Sequence, residues 1–368
     1  MNDKLSNLKI AIVHDWIVGQ GGGERVLYDF HSIFPDAPIY TLVYDPEKAP
    51  DWCRDCDIRT TYIQKWPGGK THHKLLLNFM PKAWEALDLT EFDVVLSSSM
   101  SCCKGVITRP DAVHVCFCHS PIRYVWDLYY DYLNDAGAIK GFFMRRWIHG
   151  IRMWDFLAAQ RVDYFISNSD YVGKRIKKYY RRDSRTIHPS TPIKSSCVQD
   201  AQGYYLVVSR FVGYKRVDLA IEACNKLGRK LKIIGSGGEE EKRLRSIAGP
   251  TIEFLGRVTD EEMEAAYAGA DAFLFPGVED FGLTPIEAMS SGVPVLAYGE
   301  GGALETVIGG ETGLFFGEQS ADSLADCILK FEADGVNLSR QEIADYAQKF
   351  APEVFRENIL NYLEEVVG

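Results

Sequence analysis

The feature that most constrains the fold is an alternation of short apolar runs with helical stretches in both halves of the chain. The runs are almost continuously apolar, which is typical of strands buried on both faces of a parallel sheet. Each run ends in a turn and is followed by a stretch with helical spacing. The predicted strands are Leu8–Val13, Phe92–Ser97, Val113–Cys118, Val162–Ser167, Tyr204–Ser209, Leu231–Ile234, Ile252–Leu255, Ala272–Phe275 and Pro294–Ala297. The pattern predicts an α/β protein with two doubly wound, Rossmann-like domains.

The length of 368 residues also favours two domains. The stretch Ile187–Gln202 contains two prolines and several Ser and Thr residues but no strong apolar period, which indicates a linker. We expect an N-terminal domain over residues 1–190 and a C-terminal domain over residues 191–349. Apolar residues three and four apart predict a final helix near residues 354–367.

Composition excludes several classes of protein. The net charge of −10 is unevenly divided, because residues 1–194 carry 26 basic and 22 acidic residues whereas residues 195–368 carry 15 and 29. The acidic second half argues against nucleic acid as a partner.

No apolar run approaches the roughly 20 residues of a membrane span. Residues 1–8 lack the apolar segment of an export signal, and nine cysteines without framework spacing suggest reduced thiols, so we expect a cytoplasmic protein.

The strongest chemical motif surrounds two glutamates that lie eight positions apart, Glu279 and Glu287. Gly282 stands just before a predicted helix, so backbone N–H groups there can meet an anion. Glu287, inside that helix, can accept hydrogen bonds from a sugar diol. Arg210 and Lys215 follow another predicted strand, where two cations can stabilise the charge that develops on a leaving phosphate. Each residue alone would more often be a surface charge, but their combination favours a ligand site.

These motifs resemble those of retaining glycosyltransferases of family 4, which have the GT-B fold, and the resemblance covers nearly the whole chain. It is carried by the E-x7-E string that starts at Glu279, by Ser209-Arg210-Phe211 with Lys215, and by Gly256-Arg257-Val258. The first half adds His14-Asp15-Trp16 with the glycine-rich residues 21–23, and Cys118-His119-Ser120-Pro121. Within the family, the first-half motifs look most like O-antigen mannosyltransferases that use GDP-mannose.

The resemblance implies two domains that face each other across a cleft, with a C-terminal helix (about residues 350–368) packing back on the first domain. It implies no cofactor and no metal, and retention by front-face attack in which the leaving phosphate accepts the proton of the acceptor. The implied catalytic residues are His119, Arg210, Lys215 and Glu279. The implied donor-binding residues are Gly22, Gly23, Arg210, Lys215, Arg257, Val258, Glu279, Phe281, Gly282, Leu283, Thr284 and Glu287.

The expected donor is GDP-mannose or another nucleotide sugar, and the expected acceptor is a lipid-linked saccharide of O-antigen or surface polysaccharide synthesis. Two basic runs, Lys140–Arg152 and Lys174–Arg185, either contact the inner face of an anionic membrane peripherally or belong to helices packed on their own core. The alternatives are a UDP-sugar donor, a GT-B sugar-nucleotide epimerase and a non-catalytic nucleotide-sugar-binding subunit. An NAD-dependent oxidoreductase is disfavoured because no complete G-x-G-x-x-G fingerprint is present.

Overall fold

The computed structural model describes residues 3–134, 137–193 and 200–367. The chain divides into two compact units. The first contains residues 1–189 together with residues 352–368, and the second contains residues 190–351. Part of the predicted linker, residues 194–199, lies outside the described residues.

The first unit is built on a parallel sheet of seven strands in the order β3-β2-β1-β4-β5-β6-β7. Its strands are β1 Ile10–His14, β2 Ile39–Thr41, β3 Ile58–Thr60, β4 Val94–Ser99, β5 Val113–Cys118, β6 Tyr164–Ser167 and β7 Ser184–Thr186. Its helices are α1 Asp3–Ser6, α2 Gly22–Ile33, α3 Gly69–His72, α4 Met80–Glu85, α5 Tyr129–Asn134, α6 Gly137–Gln160 and α7 Asp170–Tyr180, with α15 Pro352–Val367 from the end of the chain. The central strands are buried on both faces, as their continuous apolar runs predicted.

The second unit contains a parallel sheet of six strands in the order β10-β9-β8-β11-β12-β13. Its strands are β8 Tyr205–Val208, β9 Leu231–Ile234, β10 Ile252–Gly256, β11 Ala272–Phe275, β12 Val295–Tyr298 and β13 Gly313–Phe316. Its helices are α8 Val217–Leu227, α9 Glu241–Ile247, α10 Asp260–Ala268, α11 Leu283–Ser290, α12 Ala303–Thr306, α13 Ala321–Asp334 and α14 Arg340–Ala347. In both sheets the strand order reverses beside the first strand of the unit, which is the doubly wound topology.

The last helix belongs to the first unit, as expected. On α15, Phe355 and Leu363 join the core cluster that also contains Phe30 and Phe117. Arg356 donates from Nε to Oδ1 of the buried Asp29 on α2 at 2.9 Å. The helix therefore fills the core of the first sheet, although it follows the second unit in sequence.

The two basic runs differ in their surroundings. In the second run, Arg175 pairs with Asp127 at 2.6 Å, and Arg182 donates to the backbone carbonyl of Asp163 at 2.8 Å. Arg185 pairs with Glu365 of α15 at 3.0 Å. These contacts favour self-packing for the second run, whereas α6 leaves Phe142, Arg145, Arg146 and Trp147 exposed. None of the helices in the described ranges is both long and apolar enough to cross a bilayer.

Candidate active site

The site in the second unit forms where two loops leave the switch point of the sheet. Strands β8 and β11 are neighbours, and the order of strands runs in opposite directions from them. Loops at the carboxyl ends of two such strands diverge to opposite sides and leave a crevice. Arg210 and Lys215 follow β8, and Glu279 follows β11. The topology therefore brings together residues that are about 65 positions apart.

Lys215 and Glu279 form an ion pair in this crevice, with Lys215 Nζ donating to Glu279 Oε1. The side chains are only 18% and 21% exposed. The loops approach closely because position 277 is glycine. A Cβ there would lie 2.8 Å from the Tyr214 carbonyl oxygen and 2.9 Å from Lys215 Cα, which no larger residue could tolerate without moving the backbone. The cation and one of the two glutamates thus share one site.

Helix α11 begins beside this pair. Its N-cap is Gly282, whose φ of +89° is a conformation that favours glycine, and a glycine has no side chain with which to cap the helix. The segment that precedes α12 anchors the loop before α11, because Gly302 N donates to the Glu279 carbonyl oxygen at 2.9 Å. A Cβ at Gly302 would lie 2.3 Å from Phe281 Cα. Phe281 itself is buried and contributes to the core rather than presenting its ring to the crevice. Leu283 and Thr284 form the first turn, where backbone N–H groups have no partner within the helix.

Glu287 lies on α11, half-buried, five residues after Gly282. Its Oε2 accepts from the Tyr267 hydroxyl at 3.0 Å, and its Oε1 accepts from the Thr191 hydroxyl at 3.5 Å. These two hydrogen bonds fix the orientation of the carboxylate on α11.

Arg210 and Arg257 are both exposed in their unit. Arg210 Nη2 donates to the Tyr214 hydroxyl at 3.4 Å, and Arg257 Nε donates to Ser236 Oγ at 3.2 Å. Val258 is half-buried and packs on the apolar core. The exposed guanidinium groups have few contacts within the unit, so they can reorient toward a ligand.

The glycine-rich turn after β9 has a packing role. A Cβ at Gly235 would lie 1.9 Å from the Ser209 carbonyl oxygen, and one at Gly238 would lie 2.0 Å from that of Phe211. Both glycines have positive φ. The turn therefore supports the loop that carries Arg210.

The first unit contains a second polar cluster at the ends of its central strands. His14 ends β1, Ser98 lies opposite it in β4, and His119 follows β5. Ser98 Oγ lies 3.1 Å from His14 Nδ1 and 2.8 Å from His119 Nε2. Burial lowers the pKa of His119 to about 4. Burial and the nearby His119 lower the pKa of His14 to about 3, so both rings are neutral at pH 7.

Asp15 holds the backbone of this cluster instead of facing a ligand. Its Oδ2 accepts from the backbone N–H groups of Met100 and Ser101 at 2.7 Å, and its Oδ1 accepts from those of Cys102 and Cys103 at 2.8 Å. Burial raises the pKa of Asp15 although the four N–H groups stabilise its charged form. The carboxylate thus fixes the loop after β4 to the end of β1.

Gly22 and Gly23 form the first turn of α2. The N-cap residue is Gly21, which has no side chain with which to cap the helix. Gly23 lies against the histidine cluster. A Cβ there would lie 2.5 Å from Met100 Cε and 3.4 Å from His14 Cε1. Gly23 therefore allows the helix to begin directly over the ring of His14.

Three residues of these clusters were not predicted from the sequence: Ser98, Tyr214 and Gly277. Ser98 and Gly277 lie at or just after the end of a strand, and Tyr214 lies between Arg210 and Lys215, which are the signals that could have pointed to them. In residues 3–134, 137–193 and 200–367, no group of three or more His, Cys, Asp or Glu side chains is placed to hold a metal ion. The eight cysteines of those ranges are free thiols.

Two family models match consecutive parts of the chain. The model described as Glycosyltransferase Family 4 matches residues 20–192, and that described as Glycosyl transferases group 1 matches residues 193–350.

Among curated proteins, the chain is 23% identical to the α-1,3/1,6-mannosyltransferase ALG2 of Homo sapiens, with 95% of this chain and 94% of that protein covered. It is 29% identical to a GDP-mannose-dependent monoacylated α-(1-6)-phosphatidylinositol monomannoside mannosyltransferase of Corynebacterium glutamicum. That match covers 50% of this chain and 54% of the relative.

Among solved structures, the chain is similar to a sucrose-phosphate synthase of Thermosynechococcus elongatus, with a TM-score of 0.73 at 17% identity over 97% of this chain and 99% of that one. It is also similar to Anabaena Alr3699/HepE in complex with UDP and glucose, with a TM-score of 0.70 at 16% identity over 97% and 100% of the two chains. At these identities the likeness concerns the fold, and it confirms the predicted GT-B α/β class.

Proposed function

This chain belongs to glycosyltransferase family 4, and we propose that it is a retaining α-mannosyltransferase that moves mannose from GDP-mannose to a lipid-linked saccharide. Both curated relatives described above are named as mannosyltransferases, and one of them is named as GDP-mannose-dependent. The saccharide then belongs to a growing O-antigen or other surface polysaccharide.

The observation that carries the proposal is the pairing of Lys215 with Glu279 at the start of α11. A sugar diphosphate presents anionic phosphates next to neutral hydroxyl groups. Lys215, Arg210 and the first N–H groups of α11 suit the phosphates, because cations and helix N-termini both favour anions. Glu279 suits the sugar, because a carboxylate accepts hydrogen bonds from hydroxyl groups. Glu287 then binds the ribose, and Arg257 and Val258 line the base.

The proposed chemistry needs no residue that attacks the sugar. The bond between the anomeric carbon and the phosphate oxygen breaks as the acceptor hydroxyl approaches from the same face, and the leaving phosphate takes the hydroxyl proton. Lys215 and Arg210 stabilise the charge that grows on that phosphate. His119 contacts the transferred mannose without forming a covalent bond to it.

Calorimetry tests the donor. We expect GDP to bind more tightly than UDP, and GDP-mannose to bind more tightly than UDP-glucose. A preference for UDP would be consistent with the enzyme class but would contradict GDP-mannose as the donor. Conversion of the nucleotide sugar without an acceptor would favour an epimerase, and tight binding without turnover would favour a non-catalytic subunit. The anomeric configuration of the product, measured by NMR, tests retention.

A lysine substitution tests the leaving-group role. Lys215→Ala should lower kcat by about 10²-fold or more, because it removes a charge that stabilises the transition state. Lys226→Ala is the matched control, since Lys226 pairs with Asp322 at 2.8 Å on an exposed surface of the same unit. Similar rates in the two variants would contradict the assignment.

A lipid-linked acceptor makes contact with a membrane useful, and we propose that the exposed residues of α6 provide it. Arg145 and Arg146 are exposed beside Phe142 and Trp147, which are 64% and 46% exposed. Cationic and aromatic side chains on one helix favour an anionic lipid surface.

Sedimentation with vesicles of phosphatidylglycerol and phosphatidylcholine tests this contact. Arg145→Glu with Arg146→Glu should abolish the bound fraction, and added salt should lower it in the unmodified protein. Lys177→Glu with Lys178→Glu makes the same change of charge on α7, and it should leave binding unchanged. Equal loss in both variants would indicate non-specific attraction instead of contact through α6.

A further inference from the structure

A hydrogen-bonded relay connects three side chains across the central strands of the first sheet. His14 and Ser98 are directly opposite each other in β1 and β4, so their side chains share a face. Ser98 Oγ contacts His14 Nδ1 on one side and His119 Nε2 on the other. The His119 ring also packs edge-on against Phe117, at 5.1 Å between centroids, so its orientation is fixed. Its Nδ1 is the ring nitrogen that Ser98 does not engage.

The proton positions in this relay are restricted. Ser98 has one hydroxyl proton, so it donates to one ring and accepts from the other when both rings are neutral. If it donates to His119 Nε2, then His14 carries its proton on Nδ1 and leaves an unprotonated Nε2. If it donates to His14 Nδ1, the His14 proton must sit on Nε2.

The environment of His14 Nε2 distinguishes the two arrangements. This atom is buried and has no hydrogen-bond partner among the described residues. The beginning of α2 covers that side of the ring, where a Cβ at Gly23 would lie 3.9 Å from Nε2. A buried N–H group without a partner is rarer in proteins than an under-used acceptor. The tautomer in which His14 Nε2 is unprotonated is therefore favoured, and in this arrangement Ser98 donates its hydroxyl proton to His119 Nε2.

We propose that His14 is a positioning residue that, through Ser98, holds His119 in the tautomer with its proton on Nδ1, so that His119 offers an N–H group to an oxygen of the bound nucleotide sugar. The functional part of this inference rests on the role proposed above for His119. The low pKa values of both rings support it, because a charged ring would carry protons on both nitrogens. Asp15, which follows His14 in the sequence, supports the relay by fixing the loop after β4 to the end of β1.

Nitrogen NMR of the full chain with 15N-labelled histidine tests the tautomer without any substrate. At pH 7 we expect the His119 signals of a protonated Nδ1 and a bare Nε2. In His14→Leu we expect a mixture of tautomers, because Ser98 can then donate or accept. His14→Asn should restore the wild-type state, since an amide N–H can replace the Nδ1–H group. A protonated Nε2 on His119 in the unmodified protein would overturn the proposal.

His114→Leu provides a matched control for the loss of a buried histidine. His114 Nε2 contacts Ser97 Oγ at 2.9 Å instead of joining the relay, and within the described part of the chain its buried Nδ1 has no hydrogen-bond partner. This variant should leave the His119 signals unchanged. If His14→Leu does not fold, Ser98→Ala removes the same relay and should give the same mixture of tautomers. Unchanged His119 signals in folded His14→Leu or folded Ser98→Ala would also overturn the proposal.

A double-mutant cycle separates positioning from general stability. His14→Leu should lower kcat/KM for mannosyl transfer about tenfold in the wild-type background and have no effect in a His119→Ala background. An equal loss in both backgrounds would mean that His14 acts structurally, which contradicts the proposal. Full activity of His119→Ala would instead refute the functional role of His119, while the NMR result would still decide the tautomer.

Discussion

Replacing Glu279 by glutamine should tighten the binding of GDP while it slows sugar transfer. In the structure, Glu279 pairs with Lys215, the same cation that we assign to the diphosphate. GDP must compete with Glu279 for Lys215, and it carries no mannose whose hydroxyl groups could hydrogen-bond to the displaced carboxylate. GDP-mannose brings such hydroxyl groups. Glu279→Gln keeps the size of the side chain, removes its charge and leaves Lys215 available to phosphate.

The magnitude follows from the burial of the pair. Fully exposed ion pairs contribute about 0.2–1 kcal/mol, whereas leaving one member of a buried pair unpartnered costs about 3–5 kcal/mol. With side chains about one-fifth exposed, an intermediate value is appropriate. A competition free energy of about 1–2 kcal/mol corresponds to GDP affinity that is roughly 5- to 30-fold higher in Glu279→Gln. Loss of charge-assisted hydrogen bonds to mannose, about 1.5–3 kcal/mol, should lower kcat/KM by roughly 10- to 150-fold.

Calorimetry with GDP and steady-state kinetics with GDP-mannose measure the two effects on the same preparations. Glu332→Gln is the matched control, because it removes the same charge from a residue that pairs with Arg229 at 2.7 Å. Any gain in GDP affinity in this control measures the effect of net charge alone. An affinity for GDP in Glu279→Gln that is equal to or weaker than that of the control would refute the competition between carboxylate and phosphate.

Asp15→Ala removes the acceptor of four buried N–H groups, so urea unfolding should show a loss of about 3 kcal/mol or more. Because the pKa values of His14, His114 and His119 are about 3, 3 and 4 in the folded chain, the unfolded chain binds more protons below its ordinary histidine pKa. The free energy of unfolding should therefore fall as pH decreases from about 6.5 to 4, and His114→Gln should reduce that slope by about 1.4 kcal/mol per pH unit. Gly282→Ala forces alanine into a φ of +89° at the start of α11, and calorimetry should show GDP binding weakened about tenfold in a folded protein.

The predicted strands were largely correct because strands that are buried on both faces have continuous apolar runs, which are visible in the sequence. Val113–Cys118, Leu231–Ile234 and Ala272–Phe275 match the structure at both ends. The missed strands Ile39–Thr41, Ile58–Thr60 and Ser184–Thr186 contain three residues each, and Gly313–Phe316 contains four at the edge of its sheet. Such short segments become strands only because a neighbouring strand supplies the hydrogen bonds, which no local pattern reveals.

The α/β class and the charged residues that follow strands in the second unit were predictable from the order of residues alone. Glu279, Glu287, Arg210 and Lys215 lie in compact strings whose meaning depends on the position after a strand, and that position is visible in the order of residues. Which of these residues are in contact depends on how the strands pair. Lys215 contacts Glu279 because β8 and β11 are adjacent, and Gly277 lets their loops approach. The relay from His14 to His119 likewise depends on the pairing of β1 with β4, 84 residues later. Spacing along the chain encodes local conformation, but contacts between distant residues arise only when strands pair and the core closes around them.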